Sequence, residues 1–354
     1  QATTVAMSAD STIDASATDV GDGGKVVLWS AVGSLNSVTT AYGAVYAQGG
    51  MNGGNGGQVE TSGHSLVVNG INVNTLSANG SAGNWLLDPF HMIINANGVN
   101  FNSSTASGTT TYTSNGQTAL AGSSNSYIAG STIQTALASN NVTIQSDAGY
   151  DIISQGDGNI TYNGAARTLT LNSGRNITLS YDSPTYPGGI NGTNLSLVLQ
   201  ATGSISSAAA ISVNTLVLGS SNGGTNKPSV DLTTASNYIT NLQASNVSSL
   251  SVTNSKALTV NSNGISTSGA VTLNASSGLL VGGAITSGSS LSLTAGTISV
   301  AANITSTGAQ TYNGNVYVGG NNVSLTSNNG DVSITGSIYS LSSVRVASGG
   351  YYES

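Results

Sequence analysis

The chain has 354 residues, of which 13 are acidic, 6 basic and none cysteine, for a formal net charge of −7. Only 5% of residues are charged, against roughly 25% in an ordinary soluble domain. Six cations (Lys25, Arg167, Arg175, Lys227, Lys256, Arg345) cannot neutralise a run of phosphates or build a basic membrane-surface helix, so nucleic-acid binding and that kind of membrane association are excluded, as are disulfides.

In chain order, the first notable group is acidic. Asp10, Asp14, Asp19 and Asp22 precede Lys25 and are candidates for a cation held by carboxylates and carbonyls. They lack the glycine-rich nonapeptide of calcium-binding β-rolls, so a series of solvated turns is the competing reading. The stretch Gly49-Gly-Met-Asn-Gly-Gly-Asn-Gly-Gly57 has no Lys-Ser/Thr after it and reads as tight corners, not as a phosphate loop. His64 and His91 are the only histidines. With no cysteine and no HExxH spacing they read as isolated, hydrogen-bonded turn residues. Trp29 and Trp85 stand among Val, Leu and Gly, where core or end-capping positions are expected in preference to sugar-stacking platforms.

Around residues 95–140 the rhythm of short strands lapses. Ser131-Thr-Ile133-Gln-Thr-Ala136-Leu137-Ala138 has helical spacing, with Ser131 as the expected N-cap and Ile133, Ala136 and Leu137 on one face. A short helix with loops is expected here, lying on a side or edge. The later segment Asp182-Ser-Pro184-Thr-Tyr-Pro187-Gly-Gly is a second interruption, since proline cannot donate to an inner ladder.

Elsewhere three to five alternating residues are followed by Gly, Asn or Ser, as in Leu169-Thr-Leu171, Ile177-Thr-Leu179, Val271-Thr-Leu273 and Leu291-Ser-Leu293. Alternation of period two with turn clusters predicts half-buried strands. With 38% hydrophobic residues and low net charge the chain is expected to fold, and no run of 18 apolar residues is present to cross a bilayer as a helix. No signal peptide opens the sequence, so Gln1 is expected to begin a mature product or an excised fragment. Leu250 recurs as Val271 and then Leu291, and Leu258 as Leu279 and then Ile298. Short strands returning about every 20 residues predict a right-handed parallel β-helix in which inward apolar residues stack. A β-sandwich is the rival, but it requires discrete domains and no linker separates any. The expected organisation is residues 1–94 as β-helix repeats, 95–140 as the loop and helix excursion, and 141–354 as continuing β-helix.

Several segments in the first half form an ordered set. They are Gly21-Asp-Gly-Gly-Lys25-Val-Val-Leu-Trp29-Ser30, Asn52-Gly-Gly-Asn-Gly-Gly-Gln58-Val-Glu60-Thr-Ser-Gly63, and Gly83-Asn-Trp85-Leu-Leu-Asp88-Pro89. The segment Ile128 to Ile144 and the Thr-Tyr-Asn-Gly stretches at 161–164 and 311–314 follow. The set resembles the filamentous haemagglutinin family of large exoproteins, exported by two-partner secretion in Gram-negative bacteria. The resemblance implies a secreted or cell-surface parallel β-helix acting in adhesion, biofilm formation or as an extracellular filament. It implies an outer-membrane transporter as export partner and a glycan or protein receptor on a host or matrix. The family's amino-terminal secretion domain and a toxin domain are not evident, so the chain reads as a shaft segment. Uncovered terminal strands would permit head-to-tail self-association.

No catalytic residue and no cofactor is expected. Between Ser183 and Gly330 the one acidic residue is Asp231 and the two basic ones are Lys227 and Lys256, too few for the acid–base work of a pectin-degrading β-helix, and no G-x-S-x-G elbow supports a serine triad. Sequons at Asn102, Asn141, Asn159, Asn176, Asn191, Asn194, Asn246, Asn274, Asn303 and Asn322 are candidate glycosylation sites. Tyr312, Tyr317, Tyr339, Tyr351 and Tyr352 crowd toward the carboxyl end, where they would pack or stack on glycans. The reading is a non-enzymatic extracellular adhesin. The alternatives are a carbohydrate- or ice-binding β-solenoid, supported if Thr-x-Thr recurred once per coil, which it does not do steadily, and a polysaccharide-degrading β-helix.

Overall fold

The computed structural model describes residues 2–98, 125–155, 158–179, 189–319, 322–340 and 345–349. The expected loop at Asp182–Gly188, Asn102, Tyr351, Tyr352 and the middle of the 95–140 excursion lie outside them. The chain divides into two compact units, Gln1–Gly174 with Leu179–Gly189, and Arg175–Thr178 with Ile190–Ser354.

Among the described residues the fold is all-β apart from one helix, and between the named strands every described pairing is parallel. This excludes the antiparallel sandwich. In the second unit the pairings join strands separated by one short pass of the chain, with Asn237 beside Asn254 and Ser212 beside Tyr238. The register places like on like. Val252, Leu273, Leu293, Tyr312 and Ile334 form one column, with Leu250, Val271, Leu291, Gln310 and Val332 beside it. Leu258, Leu279, Ile298, Val316 and Ile338 form another column, and Ile265, Ile285, Ile304, Leu325 and Val346 a further one. Most of these side chains are buried, and the alternate residues between them are mainly Ser, Thr and Asn. Alternation therefore does the expected work: one parity of each strand leaves water against the preceding and following strands, and the other stays hydrated.

Polar groups also enter this core where they can be satisfied. Thr267, Ser287, Ser306 and Ser327 stack in one buried column. Thr267 donates to Gly269 O at 2.7 Å, Ser287 to the same oxygen at 2.9 Å, and Ser306 and Ser327 both donate to Gly308 O. These hydroxyls close the turns that follow the strands, so a polar residue sits in the interior at no unpaired cost. Tyr312 donates to Gln310 Oε1 at 2.7 Å, and burial pushes its phenol well above the ordinary range.

In the first unit the returns are longer, running from Lys25 to Gln58 and from Gln58 to Asn84. Val26, Val59, Trp85, Val142 and Leu169 stack, as do Leu28, Thr61, Leu87, Ile144 and Leu171. Trp85 is buried in this core and its indole N–H donates to Thr61 Oγ1 at 3.1 Å. The glycine before each strand is required by close approach. A Cβ on Gly57 would collide with the Gly24 carbonyl, and one on Gly83 with the Gly57 carbonyl.

The helix spans Gly130–Leu137, and its buried side includes the expected Ile133, Ala136 and Leu137. Ser131 is not its N-cap. Ala129 occupies that position without a side-chain cap, and Asn69, far away in sequence, ties the helix start down by accepting the Ala129 N–H at 2.9 Å and the Thr132 hydroxyl at 3.0 Å.

Candidate functional site

The three segments that carry the family resemblance pair in register: Lys25–Trp29 with Gln58–Gly63, and Gln58–Gly63 with Asn84–Pro89. The residues of the other parity form columns on the far side of these strands from the stacked core. Lys25, Gln58, Asn84 and Asn141 make one, and Val27, Glu60, Leu86, Thr143 and Thr170 the next. A third runs Trp29, Ser62, Asp88 and continues by side-chain bonds. Gln145 Nε2 donates to Asp88 Oδ1 at 3.5 Å, and Asn172 Nδ2 donates to Gln145 Oε1 at 3.1 Å. Asn172 Oδ1 is left without a partner.

Glu60 is held from two sides, by Lys25 Nζ at 3.6 Å and by the Ser62 hydroxyl at 2.8 Å. Asp88 is pushed up to about 6, first by burial and then by the negative charges of Glu60 and Asp147, with the Gln145 bond opposing. Near neutral pH the face therefore carries carboxylates that repel one another and a row of oriented amides. Trp29 is 48% exposed on it, against 1% for Trp85. Of the two tryptophans expected in core or capping positions, Trp85 is in the core and Trp29 is not. The two stand in columns of opposite parity: Trp85 stacks beside Val59 in the core, whereas Trp29 stands on the other side of the strands beside Ser62, which is itself buried.

The four acidic candidates are spread over separate turns. Asp10 accepts from Ser8 at 2.5 Å, Asp14 from the Ser16 N–H at 2.9 Å, Asp19 from Asn52 at 2.5 Å and Asp22 from the Asn55 N–H at 2.6 Å. The Ser8 and Ser16 bonds hold Asp10 and Asp14 below the ordinary carboxylate value. Among the described residues no three His, Cys, Asp or Glu side chains converge as a metal site. His64 is buried; its Nδ1 donates to Val32 O at 2.9 Å, and its buried Nε2 has no hydrogen-bond partner among the described residues. Its ring lies 4.2 Å from Phe90, which lies 3.8 Å from Tyr150. His91 Nδ1 meets Asn125 Oδ1 at 2.6 Å.

The sequon asparagines have structural work. Asn141 Oδ1 accepts the Thr168 N–H, Asn159 the Gly189 N–H and Asn176 the Ser204 N–H, each at 2.9 Å, and Asn303 accepts the Ser324 N–H at 3.0 Å. Each joins its own strand entry to the next pass of the chain. Asn141 also donates Nδ2, the atom a glycan would occupy, to Ala82 O at 3.1 Å. Asn246 and Asn322 adopt left-handed φ values of 56° and 61°. Asn191 and Asn194 lie within the strand Ile190–Ala201, and Asn274 on the outward side of Val271–Ala275.

In the second unit, Ser251, Thr272, Ser292, Thr311 and Ser333 form an outward column, flanked by Thr253, Asn274, Thr294 and Asn313. A regular small-polar array is therefore present, which a search for Thr-x-Thr alone misses because Ser and Asn share the positions. Tyr317 and Tyr339 stack outward with centroids 4.6 Å apart, while Tyr312 is in the core. The column from Trp29 to Asp88 is visible in the sequence as the fifth residue after Gly24, Gly57 and Gly83, once the segments are aligned on their glycines. Compared with known proteins, no family model matches the sequence, and neither a curated relative nor a solved structure matches it.

Proposed function

We propose that each unit is a right-handed parallel β-helix and that the chain is a shaft segment of a non-enzymatic extracellular adhesin, similar to the filamentous haemagglutinin exoproteins. One observation carries this reading: the inward columns return in parallel register, while in the second unit the outward columns beside them are built mainly of Ser, Thr and Asn. Such a surface offers many equivalent contacts and few charged groups, so attachment would come from weak contacts summed by avidity. The motif set supports export by an outer-membrane two-partner transporter and display at the cell surface.

The test is the full chain immobilised on beads, scored for attachment to host cells and matrix, with negative-stain images of native material beside it. Adhesion and fibrous material are expected. Discrete particles that neither adhere nor self-associate, or cleavage of a polysaccharide, would overturn the reading. The Ser/Thr/Asn array favours a second reading, a carbohydrate- or ice-binding β-solenoid, which shaped and arrested ice crystals would support in its ice-binding form.

A further inference from the structure

We propose that the outward face of strands Lys25–Trp29, Gln58–Gly63, Asn84–Pro89, Asn141–Gln145 and Arg167–Asn172 binds an uncharged polysaccharide strand laid across them, with Trp29 as its stacking platform. This deepens the adhesive reading and rests on it, since it names what the surface holds.

Three observations point the same way. The first is Trp29 itself. An indole left 48% exposed on a face of amides, hydroxyls and carboxylates keeps a large apolar area in water, and aromatic side chains with one polar edge suit amphipathic ligands. A sugar ring has that character, with apolar C–H faces and hydroxyls around its rim. The second is the row beyond it. Asp88, Gln145 and Asn172 follow on successive paired strands, so a polar rung recurs about every 4.8 Å. Their mutual hydrogen bonds fix the side chains before a ligand arrives, which lowers the ordering cost of binding. Asp88, Gln145 and Asn172 are half-buried and the Asn172 Oδ1 is closed to solvent, so the row offers a sugar the remaining carboxylate and Gln145 lone pairs as acceptors and the remaining amide N–H groups as donors. The third is charge. Glu60 and Asp147 both act on Asp88 as like charges. The cation nearest them in the register, Lys25, is already paired with Glu60 at 3.6 Å, and Arg167, at the start of the last strand, donates to Ala166 O and Ala138 O. An anionic glycan would meet like charge beside the platform, so a neutral chain is favoured over an anionic one.

The experiment uses the full chain with cellohexaose, chitohexaose, xylohexaose and mannohexaose, and with polygalacturonate as the anionic probe. Tryptophan emission and titration calorimetry are the readouts. Trp85 is buried, so a ligand-induced change in emission reports on Trp29. Saturable binding of at least one uncharged hexasaccharide with a blue shift is expected. Trp29→Ala should weaken it at least tenfold with unchanged circular dichroism, Trp29→Phe should retain part of it, and Gln145→Ala should weaken it several-fold. The proposal is overturned if none of the four hexasaccharides shifts the emission, if Trp29→Ala binds as well as the parent, or if polygalacturonate binds best. Bead attachment and fibre formation are scored separately, so a chain that adheres but ignores these sugars loses this inference and keeps the shaft.

Discussion

At the scale of single residues, position within the alternation decides what a side chain is for. Trp29 and Trp85 stand in columns of opposite parity, and Asn acts as a joint between passes of the chain. The abundance of sequons has the same origin: Asn-apolar-Ser/Thr, as in Asn141-Val-Thr143 and Asn303-Ile-Thr305, is a strand entry with its amide accepting the next N–H. Asn79, also followed by Gly-Ser, donates to Met51 O at 2.7 Å. Asp88 gives a prediction with a definite sign. Its native value near 6 lies above the ordinary 3.8, so the native state holds a proton that the unfolded chain releases. The stability from this group is complete below about pH 3.8 and is lost as pH rises through 6. Asp88→Asn should therefore leave stability unchanged near pH 4 and raise it by roughly 1–2 kcal/mol at neutral pH, after allowance for solvent screening. Thermal unfolding of both proteins at the two pH values measures this, and an equal effect at both would refute it.

At the scale of elements, the strands of the second unit are legible in the sequence because alternation, β-branched residues and Gly/Asn turns agree there. Leu250, Val271 and Leu291 are spaced as they stack. The helix is legible by its Ile133–Leu137 face but not by its start, since Asn69 lies outside any local window. The face bearing Trp29 and Asp88 escapes such a reading, because the long and unequal returns from Lys25 to Gln58 and from Gln58 to Asn84 hide a column that the steadier period elsewhere reveals. Neighbouring residues of one strand should respond very differently to truncation. Leu293 is fully buried between Leu273 and Tyr312, while Thr294 faces outward. Leu293→Ala should cost about 2–5 kcal/mol through lost burial and the cavity left behind, and Thr294→Ala no more than about 0.5 kcal/mol. Denaturant midpoints at constant slope separate the two. Asn254 offers a polar counterpart. Its Nδ2 donates to Ile239 O at 3.0 Å and Lys256 O at 3.1 Å, and its Oδ1 accepts the Ile239 N–H at 2.8 Å. Asn254→Leu would strand those backbone groups and should cost roughly 2–4 kcal/mol, a loss visible in the same denaturant midpoints.

At the scale of the whole molecule, stability comes from stacking with very little help from charge. Charged residues make up 5% of the chain, and the pair of Lys25 with Glu60 is a partly exposed one. Raising sodium chloride from about 0.05 to 0.5 M should accordingly move the unfolding midpoint by no more than about 2 °C, because few interactions remain to be screened. A shift several times larger would mean that long-range charge matters more than the composition implies. The parallel register has a further kinetic consequence. Partners in the second unit, such as Leu250 with Val271 and Val271 with Leu291, are close in sequence within a chain of 354. They lie about 20 residues apart, a short loop to close. Order can therefore spread from one end, each pass laid down on the one before it. A polypeptide delivered end first through a narrow opening could set its structure as it emerges, with no need of residues still waiting on the other side.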